Sequence, residues 1–185
     1  MVALRERSFS VDFRDRGVQY GHVWTADLNL IALAIQHFVE GRACIDELVR
    51  AVPVIEIASS ARPHEKGILV DFQWDQYLGT RPSTWPEDML YDVFVVAARG
   101  RLRKLMPFTS LSRACFSTTT GFPYTNDCPA IEVMRGGDCR VFCPGEMDTG
   151  NPVFTGTPRD AVARTETLLS STIVAARDGT ADDAA

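Results

Sequence analysis

Phe9, Val11 and Phe13 alternate with Ser10, Asp12 and Arg14. That is the period of a strand with one face buried and one in water. Asp15-Arg16-Gly17 supplies a turn, and residues 18–24 return as a second strand, so a hairpin is predicted at the start. Strict alternation puts Tyr20, His22 and Trp24 on one face of it. The period then changes. Leu28, Ile31, Ala32, Ile35, Phe38 and Val39 recur at helical spacing, with Thr25 placed to cap the helix and Gly41 to end it. A short helix over 45–51 and a strand over 54–58 follow. Residues 59–84 have no single period and read as part helix, part loop.

Thr84-Trp85-Pro86-Glu87 has the form of a capping box with proline in the first turn. The helix predicted over 87–99 is apolar on more than one face (Met89, Leu90, Val93, Phe94, Val96, Ala97), which marks it as central. Gly100 ends it. Strands are predicted over 111–117, 130–134 and 139–143, the last two joined through Gly136-Gly137 as a tight hairpin. A Pro/Gly-rich connection over 144–156 leads to a final helix opened by Thr157 and Pro158. Its stripe is Ala161, Val162, Leu168, Leu169 and Ile173. Hairpins dominate and no βαβ alternation appears. The expected fold is α+β, an antiparallel or mixed sheet built from N-terminal and C-terminal hairpins with helices packed on one face. Residues 1–177 read as a single domain and 178–185 as a disordered acidic tail.

Composition narrows the function classes. The chain has 185 residues, 45% hydrophobic and 23% charged, with a net charge of −5. An acidic balance argues against a general nucleic-acid binder. No apolar run reaches the length of a membrane span, and no apolar leader is visible at the start, so a cytoplasmic protein is expected. The five cysteines (Cys44, Cys115, Cys128, Cys139, Cys143) fit no disulfide framework and are expected to be free thiols. No nucleotide- or cofactor-binding fingerprint is present, so no cofactor is expected. No metal is expected either: Cys139 and Cys143 on one strand face would stand about 13 Å apart, too far to share an ion. Oligomeric state has no signature.

Candidate chemistry concentrates in residues 107–129, PFTSLSRACFSTTTGFPYTNDCP. This segment combines hydroxyls, a carboxylate and a thiol with Gly121, Pro123, Asn126 and Pro129, which stiffen the backbone. Residues 116–129 are therefore expected to line a pocket. Ser117, Tyr124 and Asp127, with His64 from the polar loop at 62–67, are the catalytic candidates. Thr118, Thr119, Thr120, Phe122, His22 and Arg103 are the substrate-binding candidates. The alternative is that the hydroxyls bond the loop's own backbone and Cys115 packs as a small apolar residue. The basic cluster Arg99, Arg101, Arg103 and Lys104 suits an acidic ligand, or simply the negative end of the preceding helix.

Pro107-Phe108-Thr109-Ser110, Phe116-Ser117, Thr120, Pro123-Tyr124, Asp127 and Pro129 together resemble an actinobacterial family of unknown function whose members are labelled natural-product biosynthesis proteins. Residues 7–11 and the run Thr25-Ala26-Asp27-Leu28 share in the resemblance. It implies secondary metabolism and carries no established active site. Three readings follow. One is a cofactor-independent tailoring enzyme (cyclisation, isomerisation or hydrolysis) acting on a small molecule or precursor peptide. Another is a non-catalytic accessory that binds a biosynthetic partner protein or a peptide. The third is a self-protection protein.

Overall fold

A computed structural model describes residues 7–41, 44–146 and 150–184. The first six residues, on which the expectation of no leader rests, lie outside that range, as do 147–149 of the expected connection and Ala185 of the tail. The fold is α+β with antiparallel sheets, as the hairpin pattern predicts. There are two sheets rather than one, and the span read as a single domain divides into two compact units, Met1–Leu69 and Val70–Ala185.

In the first unit, β1 (Phe9–Asp15) pairs with β2 (Val18–Thr25), and the short β3 (Glu56–Ile57) adds to β2. Phe13 pairs with Gly21 while Arg14 pairs with Gln19, so Tyr20 is an extra residue in β2. A bulge of this kind reverses the inside–outside parity beyond it. Val18 and Tyr20 point inward before the bulge, and Val23 points inward after it, leaving Trp24 69% exposed. This corrects the single face expected for Tyr20, His22 and Trp24. Gly21 is required where β3 crosses: a Cβ there would lie 2.9 Å from the Glu56 carbonyl oxygen. Helices α1 (Leu28–Gly41), α2 (Ile45–Ala51) and α3 (Ala61–Glu65) complete the unit. The cap of α1 is Asp27, whose carboxylate accepts from Asn29 N–H at 2.8 Å; Thr25 instead accepts from Asp27 N–H. Phe13, Tyr20, Val23, Ile31, Ile45 and Leu48 form the core.

The second unit is a five-stranded antiparallel sheet in sequential order: β4 (Met106–Ser110), β5 (Arg113–Ser117), β6 (Ala130–Val133), β7 (Cys139–Phe142) and β8 (Phe154–Gly156). Ala114, Phe116, Ile131, Val133, Cys139 and Val141 point to one face. Onto it pack α4 (Leu69–Leu78), α5 (Glu87–Ala97) and α6 (Pro158–Leu168), through Trp74, Val93, Phe94, Ala97, Ala161 and Val162. Gly136 and Gly137 take φ of 105° and 101° in the β6–β7 turn, as the Gly-Gly signal requires.

Three local expectations change here. The strand expected over 111–117 is the second arm of a hairpin whose first arm is β4, with Leu111 in the turn at φ 55°. The Thr84 hydroxyl bonds the Glu87 carboxylate, at 3.3 Å, in place of a backbone cap. The tail expected to be disordered runs back along the loop after β5. Gly121 N–H donates to Gly179 O, Ala181 N–H to Pro123 O, and the Thr120 hydroxyl to Asp178. Composition favours solvation of this tail, but its backbone pairs with a loop that has no other partner strand.

Candidate functional site

The loop from Ser117 to Asp127 is organised around one oxygen. Ser117 is fully buried, and its Oγ accepts from Thr119 N–H at 3.0 Å and Thr125 N–H at 3.1 Å. It also shares hydrogen bonds with the hydroxyls of Thr119 (3.1 Å) and Thr125 (3.0 Å). The Thr125 hydroxyl accepts from Thr118 N–H at 2.9 Å. The Thr118 hydroxyl donates to Asp127 Oδ2 at 2.7 Å, and the Cys128 thiol to Asp127 Oδ1 at 3.6 Å. The lone pairs of Ser117 are committed to backbone, so attack by this oxygen requires dismantling the loop. The alternative reading of the hydroxyls, as bonds to the loop's own backbone, describes Ser117 and Thr125. Asp127 itself is exposed and closes the network from outside.

Tyr124 stacks on Phe108 with centroids 4.4 Å apart, and the exposed Phe122 meets it edge-on. Burial raises the Tyr124 phenol above its ordinary pKa, and the neighbouring Tyr77 adds to the shift. A phenol so placed keeps its proton at neutral pH and is no general base. Burial, reinforced by Asp127, pushes the Cys128 thiol far up; burial, reinforced by Asp138 and Asp92, pushes Cys139 up to about 11. Neither is a thiolate nucleophile.

The remaining candidates lie elsewhere. His22 and His64 belong to the first unit. His22 Nδ1 pairs with Asp12, directly across the β1–β2 ladder, at 2.8 Å. His64 lies within α3 and not in a polar loop; it is buried edge-on to Tyr20, with Nε2 3.0 Å from Asp15. In the second unit, the Arg103 guanidinium lies 5.4 Å over the Trp74 ring and pairs with Asp71 at 3.1 Å. Arg101 donates to the carbonyls of Ser170 and Ile173 and ties down the segment after α6. Among the described residues, no three His, Cys, Asp or Glu side chains converge as on a metal ion, and no helix is long and apolar enough to cross a membrane.

A concave site is found where the sequence carried no expectation of one. A cleft of about 180 Å³ opens between the C-terminal end of α4, the first turns of α5 and the β4–β5 hairpin. Tyr77, Leu90, Tyr91, Phe94 and Leu111 make its apolar walls, and Thr109 is at its mouth. No residue of 116–129 lines it. Two of its lining residues connect to that segment: Phe94 meets Phe116 edge-on at 6.3 Å, and Tyr77 adds to the shift of Tyr124. Two of its walls have contacts of their own. Tyr77 stacks on Phe94 at 4.3 Å, and Arg81 forks onto Asp92 through contacts of 2.6 and 2.9 Å while lying over Tyr91 at 5.5 Å. The signal that could have found the cleft is the spacing Val70, Trp74, Tyr77, Leu78, which is helical and places Tyr77 one turn beyond the buried Trp74.

The chain belongs to a family of unknown function (DUF6193), matched over residues 68–180, a span that contains both the loop and the cleft. No curated protein and no solved structure matches the chain.

Replacing Asp127 with asparagine is expected to leave stability within about 1 kcal/mol, because the amide oxygen still accepts from Thr118. Thermal unfolding of the variant checks this. A loss several times larger would mean that the carboxylate charge itself holds the loop.

Proposed function

We propose that the second unit is a recognition module that takes an apolar side chain of a peptide, or a small molecule of similar size, into the Tyr77–Tyr91 cleft. In this reading it acts in the cytoplasm as an accessory to natural-product biosynthesis, a context that rests on the resemblance carried by the 107–129 segment. The observation that carries the reading is a cleft with an aromatic wall of Tyr77, Tyr91 and Phe94, in which Tyr77 stacks on Phe94 and Arg81, forked onto Asp92, lies over Tyr91. At about 180 Å³ the cleft is smaller than the roughly 300–1,000 Å³ of sites that enclose whole drug-sized ligands, and suits a single side chain. The tailoring-enzyme reading retains one asset, the exposed Asp127 at the edge of the loop.

Titration with N-acetyl-phenylalanine methylamide, followed by amide chemical shifts, tests the proposal. Shifts are expected at Tyr77, Leu90, Tyr91 and Thr109. Thr109→Trp, an exposed strand position at the cleft mouth, should fill the space and weaken binding by about tenfold or more. Shifts that cluster instead on Ser117–Asp127 would overturn the assignment in favour of the loop.

A further inference from the structure

A second depression, of about 400 Å³, lies beside the β6–β7 hairpin and shares no lining residue with the cleft. We propose that it binds an oxyanion, carboxylate or phosphate, carried on a planar apolar group. Its apolar side is Trp85, which is 42% exposed, with Val133 and Met134. Its polar side is Ser112, Arg135 and Arg140. The Arg135 guanidinium lies 4.6 Å over the Trp85 ring. Stacking holds the plane of a guanidinium and leaves its N–H donors free at the edge, the arrangement that recognises carboxylate and phosphate.

The charge balance favours an anion. Glu132 also lines the depression, but it pairs with Arg113 at 3.4 Å, its direct neighbour across the β5–β6 ladder. Arg140 faces Glu132 from the other side, across β6–β7. Among the described residues, no carboxylate comes within ion-pair distance of Arg135 or Arg140. The volume exceeds what a bare inorganic anion fills, and the exposed indole supplies an apolar surface for the rest of the ligand.

Calorimetric titration of the whole protein with phenyl phosphate, benzoate and inorganic phosphate tests this. At least one aryl anion should bind saturably below about 10 mM, and Arg135→Gln and Arg140→Gln should each weaken it by about tenfold or more. Arg99→Gln, at an exposed position outside the depression, should leave binding unchanged. Tighter binding of phenyl phosphate assigns a phosphate ligand, and tighter binding of benzoate a carboxylate. Absence of saturable binding by both aryl anions, or insensitivity to either substitution, overturns the site. Inorganic phosphate binding as tightly as the aryl anions overturns the planar group. Should Arg140→Gln fail to fold, Arg135→Gln, at an exposed turn position, carries the test alone.

Discussion

Phe94→Ala is expected to destabilise the second unit by about 3–5 kcal/mol, the range for truncating a buried aromatic. Phe94 is fully buried in α5 and is the side chain on which three rings converge: Tyr77 at 4.3 Å, Trp74 at 5.8 Å and Phe116 at 6.3 Å. Through them α4, α5 and β5 lock together, so the remaining rings cannot all move into the space without leaving a partner. The loss also reaches the cleft, because Phe94 and the stacked Tyr77 are two of its walls. Urea unfolding followed by fluorescence measures it. A loss under about 1 kcal/mol would place Phe94 outside the core.

Ser117→Ala is the second large effect, and it separates frame from catalyst. The substitution deletes one oxygen from a site with no solvent access and leaves Thr119 N–H and Thr125 N–H without their acceptor. Each donor so orphaned costs about 1–3 kcal/mol, so the two together give an expected loss of about 2–6 kcal/mol. The same variant should show faster hydrogen exchange at those two amides, since opening the loop no longer breaks a bond there. A merely catalytic serine would behave in the opposite way, losing activity with stability and exchange unchanged. A loss under about 0.5 kcal/mol with full amide protection would contradict the structural role assigned to this residue.

Period alone was enough to read much of the fold. The β1–β2 and β6–β7 hairpins, the short helix Ile45–Ala51 and the central position of α5 all follow from it. What escaped has physical causes. Pro107 masked β4, because proline argues against a central strand; β4 is an edge strand, where a missing donor is tolerated. The β4–β5 turn carries Leu111 at φ 55° where glycine or asparagine would have announced it. The Tyr20 bulge shifts the register by one residue, and no alternation rule contains that. Two sheets rather than one were not legible, since hairpin signals do not say which hairpins join.

The candidate site was half legible. The hydroxyl-rich loop is where residue types suggested, but Ser117, Thr119 and Thr125 spend their hydroxyls on one another and on backbone amides. Residue type cannot distinguish a hydroxyl aimed at a substrate from one that replaces a backbone partner. The histidines illustrate the same limit. His64 was expected in a polar loop, yet the helix Ala61–Glu65 turns it inward against Tyr20. The cleft escaped because its walls come from three separated segments, none unusual by itself.

In the function proposed, the Ser117–Asp127 loop is a frame and the Tyr77–Tyr91 cleft is the recognition site. The measurement that bears on it most directly is the N-acetyl-phenylalanine methylamide titration run side by side on wild type, Asp127→Asn and Thr109→Trp. The expected result is an unchanged dissociation constant for Asp127→Asn and a weakening of about tenfold or more for Thr109→Trp. Binding that survives Thr109→Trp but is lost in Asp127→Asn would contradict the claim and return the site to the loop.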